Sequence, residues 1–205
     1  MNHVRRTLVV ALSLTPLALA SRGVLAQASG AFTELKPPQP VESDGKIEVL
    51  EFFWYGCIHC YNLEPRLETW LRTLPKDVEF RRVPTVLSER WAHDAAVFYA
   101  FDAMGLLDKL HRPFFDAIHQ DRLRTDDPKA LGQWLQKQGV DAQKFADTAR
   151  SFGVQSKVKR AIRLTSDYRI EGTPAMAVHG RYTVPSSDAM LETVNQLVGQ
   201  VRKQK

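Results

Sequence analysis

An apolar run, Ile47-Glu48-Val49-Leu50-Glu51-Phe52-Phe53, leads almost directly into Cys57-Ile58-His59-Cys60, and the 205-residue chain has no other cysteine. The run is rich in β-branched and aromatic residues and follows the turn signal Asp44-Gly45, so it reads as a buried strand. Beyond the cysteines, Leu63, Leu67, Trp70, Leu71 and Leu74 recur at three- and four-residue steps as far as Pro75, the pattern of an amphipathic helix. The pair therefore sits where a strand hands over to a helix.

That position bears on the chemistry. Backbone N–H groups in the first turn of a helix lack internal partners and carry the positive end of the dipole, so they stabilise a thiolate. Cysteines three apart share a helix face and can close a small disulfide ring. His59 between them, if protonated, would lower a neighbouring thiol pKa further. A disulfide built from a low-pKa thiol is readily attacked, because that thiolate leaves easily.

Other roles for the pair fit less well. A staple across two residues removes only about 2 kcal/mol of chain entropy, against about 4.7 for a 100-residue loop. A zinc site needs four ligands, and one C-x-x-C with six scattered histidines offers no second half-site. Two inert core thiols would not favour a strand-to-helix corner. A redox pair is the better reading, and it requires neither metal nor organic cofactor.

The ends and the middle of the chain fit an exported protein. Arg5 and Arg6 precede an apolar stretch from Thr7 to Ala20, too short to span a bilayer, and Val24-Leu25-Ala26 supplies small residues for cleavage before Gln27. Residues 1–26 thus read as a cleaved signal peptide, with Ala18-Leu19-Ala20 as the alternative cut and the Arg5-Arg6 pair a poor match to a twin-arginine signal. Removing three arginines with that segment lowers the formal charge from +5 to about +2. No basic run is interleaved with aromatics, so nucleic acid is not an expected partner. An oxidising compartment lets a disulfide persist, and the remaining length suits one domain, or a domain with an insertion.

The element signals give an order. Phe32 to Val41 is extended and edge-like, with prolines that cannot join a central ladder. Val78 to Val83 alternates as a strand stopped by Pro84. From about Ser88 to Tyr168 every strong pattern is helical. The first helix carries Trp91 to Ala103 and ends at Gly105; the second carries Leu107 to Ile118, with a possible kink at Pro113. A third begins at Asp127-Pro128 and ends at Gly139, a fourth is capped by Asp141, and a fifth carries Val154, Val158, Ile162 and Leu164. Then Ala175–Val178, a His179-Gly180 turn and Arg181–Val184 read as a hairpin, and Ser187 or Asp188 caps a last helix. A thioredoxin core, residues 27–87 and 165–205, interrupted by an all-helical insertion at 88–164, fits this order within the α/β class.

Glu51-Phe52-Phe53, Cys57-Ile58-His59-Cys60-Tyr61 and Glu64 together resemble the active-site segment of the DsbA family of periplasmic thiol:disulfide oxidoreductases, in which the third position of the motif is histidine. Ile58 stands where proline is commoner. The likeness extends over the mature chain, since that family carries a helical insertion in this place. It implies a strongly oxidising pair, unfolded exported proteins as substrates in the periplasm, and reoxidation by a quinone-linked membrane partner of the DsbB type. It also implies that Thr173-Pro174 is a cis bond facing the cysteines, with Thr173 helping to bind substrate. Glu51 matches a buried acid near the family's active site, and a carboxyl of raised pKa there would exchange a proton with Cys60. Glu64 and Arg82 are its expected electrostatic neighbours, with plain surface positions the competing reading. Cys57, nearer the helix start, is expected to be the attacked sulfur and Cys60 the resolving one. Trp54, Tyr55, Ile58 and Tyr61 divide between core packing and an apolar rim for unfolded chains. The other five histidines show no partner in the sequence. An isomerase or reductase of the same fold, or a redox-inactive peptide-binding chaperone, remains open; an isomerase usually adds a dimerisation domain, for which the chain has no length, and a monomer is expected.

Overall fold

The computed structural model describes residues 31–204. The expected signal peptide and its cleavage site lie outside those residues. Strand β1 is the short pair Thr33–Glu34, β2 is Ile47–Phe53 and helix α1 is Ile58–Leu71, followed by β3 at Val78–Pro84. Five helices come next: α2 (Glu89–Ala103), α3 (Leu107–His119), α4 (Pro128–Lys137), α5 (Ala142–Arg150) and α6 (Phe152–Asp167). The hairpin β4 (Ala175–Val178) and β5 (Tyr182–Pro185) leads to α7 (Met190–Arg202). The order of strands and helices is the one the sequence signals give, in a thioredoxin-like arrangement with an all-helical block between β3 and β4.

The sheet runs β1-β5-β4-β2-β3, with β2 parallel to β3 and antiparallel to β4. Strand β2 has neighbours on both sides and all seven residues are buried, which explains its nearly continuous apolar run. Side chains alternate along it. Ile47 and Val49 pack with Leu63, Leu67 and Trp70 of α1 and with α7, whereas Leu50 and Phe52 pack with Ala161 and Tyr168 on the other face. By the same alternation Glu51 falls on the α1 side, beneath the helix that carries Cys60. Phe53, at the strand end, joins the aromatic core of the helical block with Phe98, Phe114 and Phe115. Burying each such ring contributes about 1.5–3 kcal/mol, so Phe53 ties the sheet firmly to the block.

The structure refines several local expectations. Helix α3 runs unbroken through Pro113, as α1 does through Pro65. The last helix is entered at Ala189 with no side-chain cap; Ser187 instead accepts through its backbone carbonyl from the Met190 N–H. Ile162 is exposed, because α6 turns its Val154–Val158–Ala161–Thr165 face inward. That helix continues past residue 164 to Asp167, and Thr165 accepts a hydrogen bond from the Val86 N–H. Asp127 and Asp141 cap α4 and α5 as their sequence positions suggest.

Candidate active site

The corner between β2 and α1 gives the two sulfurs different surroundings. Cys57 is the N-cap of α1, with extended backbone (φ −87°, ψ 115°), and its sulfur accepts from the Cys60 N–H at 3.4 Å. Its thiol lies 3.2 Å from the Thr173 carbonyl, to which it can donate. Both cysteines are free thiols; Cys57 is half-buried and Cys60 has no exposed surface.

The consequences for ionisation are opposite. The Cys57 pKa is pulled down to about 5, first by the hydrogen bond from Cys60 and against the effect of burial. The Thr173 side chain and the backbone N–H groups of Cys60 and His59 add to the pull. Burial, together with the neighbouring Cys57, pushes the Cys60 thiol far up. These are the sulfurs of a pair in which one leaves as a thiolate and the other holds its proton.

The helical block grips the turn on which Cys57 sits. Trp54 stacks on Trp91 of α2 with ring centroids 4.3 Å apart, and its Nε1 donates to Asp94 at 2.7 Å. Asp94 is held in turn by the Thr125 hydroxyl. The Trp54 ring lies so close to Gly56 that a Cβ there would overlap it. Tyr55 is buried among Phe53, Phe114 and Phe115, its hydroxyl 2.9 Å from His111 Nδ1 and its carbonyl 2.8 Å from His119 Nε2. Tyr61 stacks on His119 and donates to Asp116 at 2.9 Å. Of the four flanking apolar residues, Tyr55 belongs to the core and Ile58 stands exposed beside the cysteines. His59 is also exposed and lines, with Asn62, Arg66 and Pro174, a cleft of about 360 Å³. The Thr173-Pro174 bond is cis, as the resemblance implies.

Beneath the cysteines lies a buried ionic chain. The parallel register sets Glu51 opposite Arg82, and Arg82 Nε stands 3.1 Å from a Glu51 carboxyl oxygen. The same guanidinium donates through Nη2 to Glu64 at 3.1 Å. Glu64 and Glu51 are both fully buried, so the sequence-level surface reading of Glu64 gives way to the electrostatic one. Burial pushes the Glu51 carboxyl up to about 8, with Arg82 opposing and Glu64 reinforcing. Burial also acts upward on Glu64, but the His111 hydrogen bond and the Arg82 charge outweigh it and hold that carboxyl low. His111 closes the chain, with Nε2 3.4 Å from Glu64 Oε1. Sequence reasoning missed His111, although a signal was present. It falls four residues after Leu107 and three before Phe114, on the apolar stripe of α3, where an imidazole must find partners.

Fold and corner together define a thiol:disulfide oxidoreductase of thioredoxin-like architecture. The profile of the DSBA-like thioredoxin domain matches residues 48–198. The thiol:disulfide interchange protein DsbA of Burkholderia cepacia is 40% identical over 184 residues, covering 89% of this chain and 86% of that protein. DsbA of Pseudomonas aeruginosa is 38% identical over 172 residues, covering 81% and 82%. Among solved structures, a variant of Pseudomonas aeruginosa DsbA superposes with a TM-score of 0.82 at 34% identity, covering 86% of this chain and 98% of the other. The oxidoreductase DsbA of Xylella fastidiosa gives 0.80 at 30% identity, covering 85% and 97%. The chain belongs to the DsbA-like thioredoxin-domain family.

Proposed function

We propose that this enzyme works as an oxidase of exported proteins in the periplasm, donating a Cys57–Cys60 disulfide. The observation that carries the direction is the asymmetry of the pair: Cys57 is a stabilised thiolate at the helix start, and Cys60 is a buried thiol that resists ionising. Stabilising the reduced form makes the disulfide a stronger oxidant, about 30 mV for each 1.4 kcal/mol.

A substrate thiolate attacks Cys57 Sγ of the disulfide, forming a mixed disulfide and releasing the Cys60 sulfur. That buried sulfur takes a proton, for which the Glu51 carboxyl beneath α1 is the donor. A second substrate thiolate then attacks the substrate sulfur of the mixed disulfide, and Cys57 leaves as a thiolate that needs no proton. Two electrons pass from substrate to enzyme; the substrate departs as a disulfide. The Thr173 carbonyl, close to Cys57, and the wall at Pro174 orient the incoming chain, and Ile58 gives it an apolar contact. His59 adds positive charge near the thiolate when protonated. A quinone-linked membrane oxidase of the DsbB type restores the disulfide. No metal or organic cofactor takes part, and the enzyme acts as a monomer.

Trapping tests this assignment. Cys60→Ala, with Cys57 first converted to its disulfide with thionitrobenzoate, should accumulate a mixed disulfide on Cys57 and release thionitrobenzoate when mixed with a dithiol peptide whose second thiol is blocked, and Cys57→Ala treated the same way should accumulate none. Adducts on Cys60 instead would reverse the roles, and an enzyme that leaves the dithiol peptide unoxidised would be a binding module.

A further inference from the structure

Two carboxyls share one guanidinium in the chain below the cysteines, and they are not held alike. Glu64 receives hydrogen bonds from Arg82 Nη2 and stands within reach of His111 Nε2. Glu51 faces Arg82 Nε at 3.1 Å, but no donor among the described residues is aligned for a hydrogen bond to either of its oxygens. A buried carboxylate without aligned donors is costly, and one with two is not.

We propose that His111 is a positioning residue that decides which of these carboxyls carries the proton. By donating from Nε2 it fixes the negative charge on Glu64 and leaves the proton on Glu51, the member of the pair that serves Cys60. The tautomer follows from the partners. A Glu64 carboxylate can only accept, so Nε2 bears the hydrogen, and Nδ1 accepts from the Tyr55 hydroxyl at 2.9 Å. Burial disfavours the imidazolium, which keeps this neutral arrangement in place. His111 thereby joins Tyr55, just before Cys57, to Glu64, one turn after Cys60, from a helix that belongs to neither side of the corner.

The groups that act on this balance come from the turn before α1, from α1, from β3 and from α3 itself. Tyr55 faces His111 from the turn, Glu64 and Glu68 from α1, and Arg82 from β3; Arg112 is its neighbour on α3. Glu51 feels Arg82 and Glu64, and in turn acts on Cys60 and Tyr55. An open cleft of about 310 Å³, lined by Glu68, Arg82, Asp108, His111 and Arg112, gives solvent a route to the His111 and Arg82 end of the chain. Without the His111 donor, Glu64 would hold its proton more tightly, Arg82 would serve Glu51 alone, and the proton would move from Glu51 to Glu64.

This inference rests on Glu51 being the proton partner of Cys60, but its test does not require turnover. Reduced full-length protein labelled with ¹³C at the glutamate side-chain carboxyls is titrated by NMR. In the wild type, the carboxyl that titrates above the ordinary glutamate range should vanish in Glu51→Gln. In His111→Phe that high titration should instead vanish in the double variant with Glu64→Gln, and Glu51 should titrate about one to two pH units lower, the size of a lost charge-assisted hydrogen bond. His111→Gln, which retains a donor, should keep the wild-type assignment. If Glu51→Gln still abolishes the high titration in the His111→Phe background, the proposal is wrong. Should His111→Phe fail to fold, His111→Ala read against His111→Gln decides: a Glu51 titration that does not fall in His111→Ala overturns it. A wild-type protein that leaves a dithiol peptide unoxidised, while the carboxyl titrations move as stated, would count against the oxidase reading and leave the role of His111 standing.

Discussion

The ionisation of Cys57 has a consequence for every measurement of the couple. Reducing the disulfide takes up two electrons, and two protons only when both thiols are neutral. Below the Cys57 pKa the potential should fall by about 60 mV per pH unit, and above it by about 30 mV, because Cys60 alone is then protonated. The break should appear near pH 5, where Cys57 titrates. Equilibration with glutathione from about pH 4 to pH 7, corrected for the slope of glutathione itself, measures it. One slope across that interval would contradict a thiolate at Cys57. The donors can be ranked in the same protein through ultraviolet thiolate absorbance. Cys60→Ala removes the first of them and should raise the midpoint. His59→Ser keeps the backbone N–H that helps hold the thiolate, so a smaller rise is expected.

The turn between β2 and α1 is the element that converts packing into reactivity, and Gly56 is its tightest point. A methyl group at Gly56 must displace the Trp54 ring, which is pinned by Trp91 and Asp94. Gly56→Ala should therefore destabilise the protein by about 1–3 kcal/mol, as overpacking does, and slow dithiol oxidation by moving Cys57 off the helix start. Urea unfolding and peptide turnover read the two effects; a variant with unchanged stability and rate would show that Trp54 yields without consequence. Elements of this kind are partly legible in the sequence. The apolar run of β2, the repeat of α1 and the Asp127 and Asp141 caps announce themselves, because each depends on local pattern. The grip of α2 and α3 on the turn does not, since Asp94, His111 and His119 gain their meaning only when the helical block folds back on residues 54–61. Their sequence positions carry periodicity but no partner. The entry to α7 is hard to read from the sequence for a related reason: Ser187 serves the helix through its backbone, which leaves no side-chain signature.

At the scale of the whole molecule, the order of elements was enough to give the thioredoxin-like core and its helical block, because a buried central strand and five successive helices admit few arrangements. The ionic chain across β2, β3, α1 and α3 was legible only as candidates: Glu51, Glu64 and Arg82 could be named, but which were buried depended on strand register. That chain and the thiol pair together set how stability responds to pH and redox state. Cys57 has a folded pKa below its unfolded value of about 9, so its thiolate stabilises the reduced fold fully above that pH. The contribution declines below about 9 and is lost as the pH falls through about 5. Glu51 has the opposite sign: its raised pKa lowers stability progressively from about 4.5 to about 8, and because its causes are burial, Arg82 and Glu64 rather than the cysteines, it should largely cancel between the redox forms. Closing the disulfide removes only about 2 kcal/mol of unfolded-chain entropy, a small gain for the oxidised form. The reduced protein should accordingly gain on the oxidised one as the pH rises from about 5 to about 7, in the window where the Cys57 thiolate forms. Urea midpoints of both forms, measured at several values in that range, give the difference directly. A gap that stays constant with pH would mean that the Cys57 thiolate does not set the energetics of the couple.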